Sequence, residues 1–110
     1  MSVGVFRFKN DKFSLDSEQI FFASVSSESI YKTIWEKALS DTGATLFKDG
    51  SQFTTEQVET VLSELNRVAE WCEEHLTDKQ EIAYMKNRID YLITNIAKEA
   101  KHGQERFYIF

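Results

Sequence analysis

Residues 54–76 read TTEQVETVLSELNRVAEWCEEHL, and the spacing inside this stretch decides how the chain is organised. Val58, Val61, Leu62, Leu65, Val68, Ala69, Cys72 and Leu76 recur every three or four positions, the repeat of a helix with one buried face. Thr54 followed by Gln57 has the form of a capping box, which satisfies the first free amides of such a helix. The spacing predicts a helix from Thr54 to about Leu76, with Glu56, Glu59, Ser63, Arg67, Glu70 and Glu74 on its opposite side.

Downstream, Thr77 and Asp78 each stand three residues before Gln80 or Glu81, again a helix start. A second long helix is expected over Lys79–Ala100, turning Ile82, Met85, Ile89, Leu92, Ile93 and Ile96 inward. The short Leu76–Asp78 connection makes the two helices antiparallel neighbours. Gly103 ends the region. Arg106–Phe110 reads as a closing strand, with Phe107 and Ile109 pointing opposite to Tyr108 and Phe110. So apolar a segment is expected to pair with strands at the N-terminal end.

Upstream, Val3–Lys9 alternates as a strand, with Val3, Val5 and Arg7 on one side and Phe6 and Phe8 on the other. Asn10–Asp11 makes a turn before Lys12–Leu15, so a short hairpin is expected, its register left open by the lack of an Asn-Gly or Asp-Gly pair. The run Ile20–Val25 fits either a strand or one helical turn capped by Asp16 or Ser17. The favoured reading is a short helix or turn from near Asp16, followed by an extended piece. A helix over Ser27–Ser40 has Ser26 or Ser27 as cap and Glu28 in its first turn. Ile30, Ile34 and Ala38 form one ridge of it, beside Tyr31, Trp35 and Leu39, and Gly43 suits the break. Ala44–Phe53 is an irregular linker anchored by Leu46, Phe47 and Phe53, with a turn at Asp49–Gly50. The expected fold is therefore α+β in a single domain, residues 1–110. A small antiparallel sheet of N-terminal strands and a C-terminal strand packs against three main helices, two of them a long antiparallel pair.

A chain of 110 residues, 42% hydrophobic and 14% aromatic, can bury one core without a metal or disulfide staple. Its single cysteine, Cys72, cannot form an internal disulfide, and no secretory leader is visible, so a cytoplasmic setting is expected. No apolar run approaches the ~20 residues of a membrane span. The net charge of −5 is unevenly spread: residues 54–81 carry eight acids and two bases. A field of that sign repels phosphate backbones and steers basic protein surfaces, so direct nucleic-acid binding is not expected.

Motifs for catalysis are missing. There is no glycine-rich phosphate loop, nucleophile elbow or HExxH, and no cofactor motif. Cys72 and His75, three apart, could form a thiol–imidazole pair or ligate a metal with Glu73 or Glu74. The plainer reading makes Cys72 a small buried hydrophobe and His75 a partner for the helix's negative end. His102 near Glu105 and Arg106 could suggest acid–base chemistry, but a helix end and polar turn explain the same residues. The expectation is a protein that is not an enzyme and holds no metal. Its candidate binding residues are Glu56, Glu59, Glu70, Trp71, Glu73 and Glu74, because Arg67 is the one Lys or Arg between Thr54 and Asp78. Trp71 either anchors a partner or packs inward beside the stripe.

The opening MSVGVFRFKNDKF, the segment FFASVSSESI and the helix QFTTEQVETVLSELNRVAEWCEEHL resemble the small immunity proteins of bacterial toxin–immunity pairs. Those pairs include contact-dependent inhibition and other polymorphic toxins. The resemblance implies a cytoplasmic protein that binds and neutralises one cognate toxin domain, often a nuclease, with no catalytic residues to carry over. The alternative is a structural or adaptor protein acting through a homodimeric or hetero-oligomeric interface, marked by exposed aromatics near Trp35, Tyr84 or Tyr91, or by strand pairing through Arg106–Phe110.

Overall fold

The computed structural model describes residues 2–9, 18–102 and 106–110. Strand β1 is Ser2–Phe8, β2 Gln19–Ser27, β3 Gln52–Thr54 and β4 Arg106–Ile109. They form one antiparallel sheet in the order β2-β1-β4-β3. Helix α1 covers residues 28–42 and contains a π turn, Tyr31–Trp35, between Glu28–Ile30 and Glu36–Thr42. Helices α2, Val58–His75, and α3, Lys79–Glu99, are the long pair.

Alternation in β1 works as its pattern requires. Val3, Val5 and Arg7 are buried towards the helices, and Phe6 and Phe8 lie on the outer face. Arg7 tolerates burial because its guanidinium pairs with Glu99 at the end of α3. The partner of β1 is Gln19–Ser27, so the 20–25 run is strand. The reason is its period of two: Ala23 and Val25 are fully buried, while Ile20 and Phe22 face outward, about half exposed. The expected strand Lys12–Leu15, and the helix or turn from Asp16, fall outside the described residues. Gly4 matters for close approach, since a Cβ there would come within 2.6 Å of the Phe22 ring.

β4 pairs with β1, as an apolar closing strand should, and also with β3 from the linker, which was not anticipated. Phe53 stacks on Phe107 at 4.9 Å, joining linker and tail on the core side. Under the sheet, α1 buries Tyr31, Ile34, Trp35, Ala38 and Leu39. Ser27 caps α1 by accepting the Ile30 amide, and Gly43, at φ 74°, closes it in the left-handed conformation that glycine adopts without strain. Thr54 and Gln57 make the reciprocal capping bonds, Asp78 caps α3, and the three-residue turn between α2 and α3 sets them antiparallel. Met85, Ile89, Leu92 and Ile96 of α3 are buried, and Ile82 and Ile93 are half-buried at the margin.

Candidate functional site

The solvent side of α2 carries the acids named from sequence. Glu56, in the turn that leads into α2, and Glu59, Glu70, Glu73 and Glu74 are all exposed. Among the described residues no lysine or arginine lies within ion-pair distance of any of them. At 1.5 Å per residue, Glu59 and Glu70 are about 16 Å apart along the axis. The acids thus form two groups, Glu56 with Glu59 at the start and Glu70, Glu73 and Glu74 at the end.

The second group borders a depression of 430 Å³ between the end of α1 and α2, lined by Asp41, Thr42, Arg67, Glu70, Trp71, Glu74 and His75. Of the two placements open to Trp71, the inward one is realised: it is 6% exposed. Its indole N–H donates to Asp41 Oδ2 at 3.0 Å, and its ring stacks on His75 at 4.7 Å. Trp71 is therefore a fixed wall of the depression, not a projecting anchor. The His75 ring is turned to Trp71, with Nδ1 at 3.0 Å from the Trp71 carbonyl oxygen.

Cys72 is sealed at 1% exposure, and burial pushes its thiol up to about 11. It stays a neutral thiol near pH 7, which suits a packing role and not a nucleophile or ligand. Among the described residues no three His, Cys, Asp or Glu side chains converge as metal ligands. The His102 side chain and Glu105 lie outside the described residues. No described helix is long and apolar enough to cross a membrane.

Glu64 went unnoticed in the sequence. It is 5% exposed, and its carboxylate accepts the amides of Thr45 at 3.1 Å, Leu46 at 3.2 Å and Phe47 at 2.8 Å. That bond set converts the irregular 43–51 segment into a fixed turn and seats Phe47, fully buried, against Trp35. The available signal was positional: Glu64 lies three after Val61 and four before Val68, on the buried side of its helix. Asp41, which orients Trp71, has no comparable signal.

No protein-family model matches the chain, and neither does any curated protein or solved structure.

Proposed function

We infer that this chain is an immunity or inhibitor protein, neutralising a cognate basic toxin domain, most simply a nuclease, by covering it with the acidic side of α2. One observation carries the reading: five exposed glutamates, with no cation paired to them among the described residues. Like charges one turn apart repel by a few tenths of a kcal/mol each. A surface bearing lysines and arginines relieves that repulsion as it binds. A nuclease needs such a surface to hold phosphates, so its own substrate groove is the natural complement. Glu70 and Glu74 would engage it around the rigid Asp41–Trp71 wall, and Glu56 and Glu59 would extend the contact along the helix. The cytoplasm is the compartment in which such a pair would meet.

The test is to search the genes beside this one for a large toxin with a variable C-terminal domain, to co-purify that domain with this chain, and to follow with association kinetics. A one-to-one complex is expected, whose on-rate drops roughly tenfold or more from low to high salt. Changing Glu56, Glu59, Glu70 and Glu74 together to Gln should slow association at low salt and flatten that dependence. Unchanged rate and affinity in this variant would remove the acidic face from the account.

The alternative, an adaptor or homodimer, has its own observation. Tyr84 and Tyr91 are 37% and 40% exposed on α3 and bracket Arg88, whose guanidinium sits 6.0 and 5.2 Å from their rings. Tyr and Arg are the residues that most often dominate interfaces. The other two surfaces expected for this role are closed: Trp35 is fully buried, and Arg106–Ile109 is paired on both sides within the sheet. Sedimentation at high micromolar concentration decides this reading, and a monomer counts against it.

A further inference from the structure

Along one outer side of α3 stand Glu81, Tyr84, Arg88, Tyr91, Asn95 and Lys98, spaced 3-4-3-4-3. That alternation is the one that keeps a single stripe of a helix turned towards a second helix over many turns. The stripe is separate from the one α3 buries: Glu81, Tyr84, Tyr91 and Lys98 are exposed, and Arg88 and Asn95 are half-buried. At 1.5 Å per residue it runs about 26 Å.

The middle of the stripe is already held in place. The Arg88 guanidinium sits 6.0 Å from the centre of the Tyr84 ring and 5.2 Å from that of Tyr91, and it donates to the Ser24 carbonyl of β2 at 3.4 Å. No carboxylate among the described residues lies within ion-pair distance of it, and its Nε, shut off from water, has no acceptor among them. Glu81 and Lys98, at the two ends, also lack an ion pair among the described residues. A stripe that is negative at one end, positive at the other, and aromatic and cationic between them is complementary to its own reverse.

We propose that two copies of this chain pair through this stripe, α3 against α3, antiparallel about a two-fold axis between positions 89 and 90. In that register Arg88 of each copy meets Tyr91 of the other, Tyr84 meets Asn95, and Glu81 meets Lys98. Every layer occurs twice, as a contact between identical surfaces requires. The central layers set a guanidinium over a ring, and the outer ones join opposite charges. Sliding one copy by seven residues one way puts Arg88 against Lys98, and the other way carries Lys98 past the start of the opposing helix. Only the stated register pairs both end charges. The contact is small: Tyr84 and Tyr91, 37% and 40% exposed, offer roughly 90 Å² each, against about 800 Å² per copy in a standard interface. The dimer is therefore a weak one, with a dissociation constant on the order of 100 μM. It rests on the reading of Tyr84, Arg88 and Tyr91 as an interface and uses none of the glutamates of α2.

Sedimentation equilibrium from about 10 μM to 1 mM at low salt should show monomer passing to dimer and to nothing larger. E81K and K98E change exposed side chains, and amide spectra check that both variants fold. Each should weaken association about tenfold, because a dimer holds the altered layer twice. Mixing E81K with K98E should restore it, since every layer between positions 81 and 98 then joins lysine to glutamate. Independently of charge, a nitroxide on K98C of one copy should broaden amides near Glu81, and not near Lys98, of an isotopically labelled second copy. A monomer throughout would remove both this pairing and the interface reading beneath it. A dimer indifferent to E81K and K98E, a mixture that fails to restore it, or broadening near Lys98 would overturn the antiparallel pairing and leave that broader reading standing.

Discussion

Glu64 holds three consecutive amides of the 45–47 turn with one carboxylate, while the helix that carries it buries its neighbours in hydrocarbon. Removing the carboxylate strands the Phe47 amide, which is shut away from water. Glu64→Ala should therefore cost about 3 kcal/mol in urea unfolding, and Glu64→Gln less, since the amide retains one acceptor oxygen. Equal stability of Glu64→Ala and the parent would mean that the turn does not need the carboxylate. Periodicity could put Glu64 on the inner face, but it could not show the donors that make a charge tolerable there, because they belong to a loop some eighteen positions earlier. Cys72 supports a pH prediction. Its thiol ionises near 9 when solvated and about 11 when folded, so the folded chain holds the proton more tightly. That contribution is intact below pH 9 and is lost as pH rises to 11. Stability should decline across this window, and Cys72→Ala should decline less steeply by chemical denaturation.

Among the elements, legibility followed length and punctuation. α2 and α3 each show several turns of uninterrupted 3.6-residue repeat between recognisable caps. α3 formed within a residue of its expected ends, while α2 ended a residue early and took up the α repeat only at Val58, after a 3-10 turn over Thr55–Gln57. Asp78→Ala removes the bond to the Gln80 amide and should cost about 1 kcal/mol. Gly43→Ala should cost a similar ~1 kcal/mol, because its φ of 74° strains any side chain. Thermal or urea melts of the two variants measure both, and neutral substitutions would argue that the ends of these helices fray. β2 was ambiguous because six apolar and small residues contain too few turns of either repeat to arbitrate; pairing with β1 decided it. β3, three residues long, has no local signal and exists through Phe53 stacking on Phe107. The π turn likewise leaves no mark in the residue pattern of α1, whose buried positions fit an ordinary helix.

Over the molecule, charge and concavity differ in how they can be read. The acidic face was legible because exposed glutamates on one helix need only a helical repeat to be placed together. The depression beside Trp71 was not, since it is made by segments that meet only in the folded chain, as Asp41 meets Trp71 thirty positions on. The two long helices also differ in sign: α2 exposes four glutamates against Arg67, while α3 exposes Lys79, Lys86 and Lys98 against Glu81 and Asp90. Replacing the acids of α2 by Gln should raise the melting temperature at low ionic strength, and the gain should shrink once salt screens the repulsion. A gain that persists in high salt would point to a cause other than charge.

The two inner strands of the sheet come from opposite ends of this sequence. Val5 sits beside Ile109, 104 positions later, and Gly4 and Phe110 exchange backbone bonds at 2.9 and 3.1 Å. On the ribosome β1 and β2 must therefore wait, their inner edge unpaired, until almost the last of these residues has emerged. Until then the edge of β1 that β4 occupies has no strand to pair with, and an unpaired edge of that kind is open to stray strands from other chains.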